Sequence, residues 1–219
     1  MRQLARRLLF ITLGALAFIA GMVIGETNWH PATSGIPDSG FFLSSLLSGA
    51  KFCNVLLSIT VVGHLLIVAF VAPSNRGFIT ANSRTILLRM TALASAWVFA
   101  ATTTAVTTLA NVLGLNTREI LTPGVIPTYI WALPPSRSYL IAALFALAIA
   151  IGSAFAKTLN QVAVLALISL AAIATPILNS HSATLGDHSL ALTSSVSHGL
   201  AVATWMGGLI AVAPLVKCG

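Results

Sequence analysis

From Ser138 to Leu178 the chain reads SYLIAALFALAIAIGSAFA, then Lys157, then TLNQVAVLALISLAAIATPIL. Lys157 is the one charged side chain in that stretch. No water-facing surface can be built from such residues. Each half has the length, roughly 20 helical residues, that crosses a hydrocarbon core of about 30 Å. The rest of the chain obeys the same economy: 57% of its 219 residues are hydrophobic and 7% are charged. A soluble domain carries about a quarter charged residues, so the solvent for this chain is lipid.

Six segments have the length and composition of membrane spans: 8–25, 52–72, 86–113, 138–156, 158–178 and 189–216. Backbone polar groups in lipid must be satisfied within the structure, and the runs lack the alternation of barrel strands, so the expected fold is all-α: a polytopic transmembrane helix bundle. An N-terminus on the cytoplasmic side puts Arg2, Arg6, Arg7, Arg76, Arg84, Arg89, Lys157 and Lys217 inside. Lys51, Arg118 and Arg137 then lie outside, together with all four acids, Glu26, Asp38, Glu119 and Asp187. The positive-inside rule predicts N-in, C-in on that count, and the reading is a multi-pass membrane protein with a cytoplasmic N-terminus. Arg2, Arg6 and Arg7 before the apolar run 8–25 imitate a signal peptide, but no small-x-small cleavage site follows, and the run is expected to be an uncleaved first span.

Two outer loops exceed what a simple connection needs. In the first, about 26–51, FFLSSLL is expected to form a short helix lying at the interface. In the second, about 114–137, Asn116 and Glu119 have the spacing of a capping arrangement, and Pro123, Pro127, Pro134 and Pro135 limit the helix that follows. The threonine-rich TTTAVTTLAN of the third span reads as self-bonded helix packing or as one side of a polar pathway.

The net charge of +7 arises from loop residues that set orientation, with no basic patch interleaved with aromatics, so nucleic acid is not an expected partner. Cys53 and Cys218 form no CxxC and fall near opposite membrane faces. No nucleophile–base pair, paired carboxylates or HExxH arrangement is present, so an enzyme is not expected.

Three of the five histidines crowd into HSATLGDHSLALTSSVSHGL at 181–200. His181 and His188 flank one outer turn, in which Asp187 is placed to cap the sixth helix. Neutral imidazole is a common copper and zinc ligand, so this pair is a candidate capture site. His198 lies inside the span, ten residues beyond His188, or about 15 Å along an ideal helix. A histidine there is a functional candidate or the partner of an interhelical hydrogen bond. His64, about twelve residues into the second span, is expected at a depth similar to that of His198. Two histidines at one depth could share a copper ion or hold a haem iron from both sides. Met206 and Met22 add soft thioethers, and Gly207 and Gly208 permit close helix contact.

His198-Gly-Leu-Ala-Val-Ala-Thr-Trp205-Met-Gly207-Gly208 resembles the H-(six residues)-W-x-G-G pattern of the CopD family of copper-resistance membrane proteins. The preceding 181–200 segment and NVLGLNTREILTPGVIPTYIWALPPSR resemble parts of actinobacterial members, so that the likeness covers about 50–216. Many members continue into a CtaG-type cytochrome c oxidase assembly region, so residues 1–219 are expected to be a single CopD-like domain, incomplete at its C-terminus. The resemblance implies copper uptake, transfer or resistance, with His198 as the motif position. His181 and His188 would capture copper, and His64 and Met206 would assist His198. Expected partners are the lipid bilayer, a copper ion, and an outer-side copper-binding protein or a CtaG-type assembly factor. Two alternatives stay open: a haem-b-binding electron carrier using His64 and His198, and a structural subunit holding no metal.

Overall fold

The computed structural model of the chain describes residues 38–179 and 188–213, and of residues 188 and 189 the backbone alone. The expected first span, His181, Asp187, Met22, Cys218 and the side chain of His188 lie outside the described residues.

Seven helices and one hairpin make up the described part. They are α1 (Gly40–Phe70), β1 (Ser74–Asn75), β2 (Phe78–Ile79), α2 (Ala81–Leu113), α3 (Thr117–Ile120), α4 (Val125–Tyr129), α5 (Pro134–Phe155), α6 (Leu159–Leu178) and α7 (His188–Val212). Five of them, α1, α2, α5, α6 and α7, are long and apolar enough to cross a membrane. The fold is thus the helical bundle of a multi-pass membrane protein. The most extensive helix pairing is α2 with α5, and α1 sits centrally, touching α2, α6 and α7.

Small residues make this packing possible. On α5, Ser138, Ala142, Ala146 and Ala150 recur every fourth position and are all buried, which brings the backbone of α2 close. Lipid offers no hydrophobic drive between helices, so close van der Waals contact of small side chains has to supply the attraction. Many of the large apolar side chains point outward instead: Phe99, Phe155 and Leu167 are all exposed. A soluble protein reverses this order. One exception is Trp97 of α2, which is fully buried in the main core.

Local chemistry sets the boundaries. Thr80 accepts from the Ser83 backbone N–H to open α2, and Gly114, at φ 64°, closes that helix in the left-handed region. Pro134 and Pro135 occupy the first turn of α5, where a missing N–H costs nothing. The Asn116–Glu119 pair forms a reciprocal capping box: Asn116 Oδ1 accepts from the Glu119 N–H at 3.1 Å, and Glu119 Oε2 accepts from the Asn116 N–H at 2.8 Å.

Two features differ from the sequence expectation. FFLSSLL is not a separate interfacial helix but the first two turns of the 31-residue α1. Nothing between Gly40 and Phe70 breaks the helix, and Leu43, Leu47 and Ala50 bury one face of the extension, with Leu43 packing in a cluster with Leu109, Ile120 and Ile130. The connection after α1, expected as a loop, contains a hairpin whose two-residue turn, Arg76-Gly77, has φ of 52° and 84°. Positive φ at both central residues is the type I′ pattern that matches strand twist. The hairpin also holds the α5–α6 connection: Ile79 N–H donates to the Lys157 carbonyl at 3.1 Å, and Leu159 N–H to the Gly77 carbonyl at 3.0 Å.

Candidate functional site

A cavity of about 470 Å3 opens where α1, α2, α5, α6 and α7 converge. Its wall is mainly aliphatic, with Val55, Ile59, Ile173, Ile177 and Val202 among the lining residues. The polar groups reaching it are Asn54, Ser58, Trp97, Tyr139 and His198.

Each is placed by its own helix. Asn54 is buried on α1, and its side-chain carbonyl accepts from Trp97 Nε1–H at 2.9 Å. That bond fixes the amide by committing Oδ1 to the indole. Ser58, one turn further, donates back to the Val55 carbonyl at 2.9 Å, which makes its polarity cheap in lipid. Pro176 also lines the cavity, near the end of α6. His198 is exposed on α7 and lines the cavity, so it stands at the rim. Its imidazole makes no hydrogen bond to the described residues.

His64 lies elsewhere. Its Nδ1 is 2.8 Å from the Thr60 carbonyl. A carbonyl only accepts, so Nδ1 carries the proton of this bond, and Nε2 lies outside it. The level of His64 follows from the contact between α1 and α7. Gly207 packs against Ile59 and Gly63 so closely that a Cβ built on it would meet the Ile59 carbonyl oxygen and lie 2.9 Å from Gly63 N. His198 is nine residues before Gly207 and His64 one residue after Gly63. The two helices run the same way, since Asn54 to Ile59 and His198 to Ala203 line one cavity above that contact. The histidines are therefore about 15 Å apart along the bundle. The expected common depth does not hold, and one ion or one haem iron cannot bridge that gap. Counting from predicted span ends failed because α1 starts twelve residues before the predicted 52.

Trp205 and Met206 are exposed on α7, turned away from the core, and neither lines the cavity. Cys53 is free and exposed. Among the described residues, no three of His, Cys, Asp and Glu come together in a group able to hold a metal. In the threonine-rich stretch of α2, Thr104 donates to the Ala100 carbonyl at 2.7 Å and Thr107 to the Thr103 carbonyl at 2.8 Å. These two hydroxyls serve their own helix.

Sequence reasoning missed Asn54, Trp97 and Tyr139. Asn54 carried a legible signal, an amide in the middle of an apolar run, which in lipid calls for a partner. Trp97 as its donor was not legible, because the two lie 43 residues apart.

No family model, curated protein or solved structure matches the chain.

Proposed function

We propose that this membrane protein handles copper, with His198 as its ligand within the bilayer. The observation that carries the reading is the imidazole of His198, which has no hydrogen bond to the described residues and stands at the rim of a cavity inside the bundle. A neutral imidazole is a good copper ligand, and one with no competing hydrogen bond is free to take the ion. The resemblance of the His198–Gly208 segment to the CopD pattern points the same way. In this reading His181 and His188 capture copper at the outer end. His198 is the next station, and the free Nε2 of His64 is a separate station about 15 Å further along. Met206, on the lipid side of α7, assists a partner protein rather than the cavity. Sparse ligands at each level suit a relay, because a fully caged ion would not leave.

The orientation belongs to the same proposal: Arg76, Arg84, Arg89 and Lys157 cluster at one end of the bundle, Asp38 and Glu119 at the other, and the basic end faces the cytoplasm of a bacterial plasma membrane. The test is copper titration of detergent-purified protein with metal analysis. His198→Ala should remove one bound copper per chain without loss of helical content. An unchanged copper stoichiometry in that variant overturns the assignment, and a haem absorption band in the purified wild type overturns the copper reading as a whole.

A further inference from the structure

At the end of the bundle opposite the Asn116–Glu119 capping box, a second crevice of about 410 Å3 lies between the hairpin and the C-terminus of α5. Phe78, Thr80, Arg84, Phe155 and Lys157 are among its lining residues. We propose that this crevice binds the headgroup of an anionic phospholipid, with Arg84 and Lys157 on the phosphate and Phe78 and Phe155 against the acyl chains.

Arg84 is anchored at the C-terminal end of α5. Its Nη1 donates to the carbonyls of Ser153 at 3.4 Å and Ala156 at 3.2 Å, and its Nη2 donates to that of Ala154. The Ser153 and Ala154 carbonyls lie in the last turn of α5 and have no intrahelical donor, and that of Ala156 follows directly, so a cation there is favoured by the helix dipole as well. The guanidinium has five N–H groups. Three are spent on holding it still, and two remain for a ligand. Its position is fixed without any carboxylate. Lys157, exposed beside it, likewise has no carboxylate partner among the described residues, and Arg76 projects from the turn of the same hairpin.

The charge balance identifies the occupant. Arg76, Arg84, Arg89 and Lys157 share this end of the bundle, and the only described acids, Asp38 and Glu119, lie at the far end. A free anion would satisfy the cations but would leave the aromatic flanks unexplained. Phe78 is 58% and Phe155 73% exposed, and both line the crevice. A phosphodiester carrying two acyl chains covers both kinds of surface at once, at the depth where a headgroup already lies. The site is also preformed, because the β2 backbone is bonded to the α5–α6 connection. Basic pockets between helices at a membrane face are a recognised mode of lipid headgroup binding.

The test uses the full-length protein, delipidated in detergent, with lipid adducts counted by native mass spectrometry during titration with phosphatidylglycerol or phosphatidylcholine. The expected result is one saturable adduct with phosphatidylglycerol preferred at least fivefold. Lys157→Gln should reduce that preference about fivefold, the effect of one cation near an anionic surface. Folding is not at risk in this variant, because the bond of Lys157 to Gln161 uses its backbone N–H. Phe155→Ser should weaken both lipids together. Equal binding of the two lipids, or a phosphatidylglycerol preference unchanged in the Lys157→Gln/Arg76→Gln double variant, overturns the proposal. Full displacement of the lipid by millimolar inorganic phosphate also overturns it, in favour of a free-anion site.

Discussion

Gly207 and Gly208 are neighbours on one helix, and the structure predicts opposite outcomes for the same substitution at each. At Gly207 an added Cβ meets the Ile59 carbonyl oxygen and lies 2.9 Å from Gly63 N and 3.0 Å from Gly63 Cα. All three are backbone atoms of α1, so no rotamer change relieves the overlap, and α7 has to move as a body. At Gly208 no atom of the described residues lies within 4 Å of the same atom. Both substitutions gain the same intrinsic helix preference of alanine over glycine, about 1 kcal/mol. That term cancels in the difference between the variants. What remains is the overpacking cost, about 1–3 kcal/mol where neighbours can adjust, and here at the upper end because they cannot. Gly208→Ala should therefore be neutral to slightly stabilising. Gly207→Ala should be about 3 kcal/mol less stable than Gly208→Ala, measured by reversible unfolding in mixed detergent followed by circular dichroism. The register that separates His64 from His198 rests on this contact. If the two alanine variants unfold at the same point, the glycine crossing is wrong and the 15 Å separation loses its foundation.

Two further outcomes follow from single bonds and angles. Trp97→Phe leaves the Asn54 carbonyl oxygen buried without its donor and should cost about 1–3 kcal/mol. Adding Asn54→Val should recover much of that, since removing both partners of a buried hydrogen bond is far cheaper than removing one, and strictly additive losses in the cycle would refute the bond. Arg76 holds φ 52°, a conformation that costs an L-residue about 1–2 kcal/mol and costs glycine nothing. Arg76→Gly should stabilise the protein by about 1 kcal/mol in the same unfolding assay while weakening phosphatidylglycerol binding. A loss of stability would mean that the side chain makes a contact worth more than the backbone strain.

The parts of the fold that were legible in the sequence are those set by local physics. Span existence follows from apolar length alone, and five of the six predicted spans correspond to described helices, with the sixth segment, 8–25, outside the described residues. The capping box at Asn116 and the prolines at the start of α5 were legible because caps act within one turn. The placement of helices against one another was not legible, and the reason is the solvent. In water an apolar stripe marks the buried face of a helix. In lipid the outer face is as apolar as the inner one, so hydropathy along α5 does not distinguish Leu144, exposed to lipid, from Ile149, fully buried.

Residue size carries the information that hydropathy has lost. Ser138, Ala142, Ala146 and Ala150 mark the buried face of α5, and the glycines mark the α1–α7 crossing. This bears directly on the candidate site. His64 and His198 look equivalent when depth is counted from hydropathy boundaries, because those boundaries are blurred by the apolar extension of α1 into the outer loop. A glycine contact carries no such ambiguity: it is a point at which two backbones must coincide. Pairing Gly63 with Gly207 sets the register of α1 on α7, which puts Asn54 rather than His64 beside His198. Asn54, whose side-chain carbonyl accepts from Trp97, is thus the amide that lines the same cavity as His198.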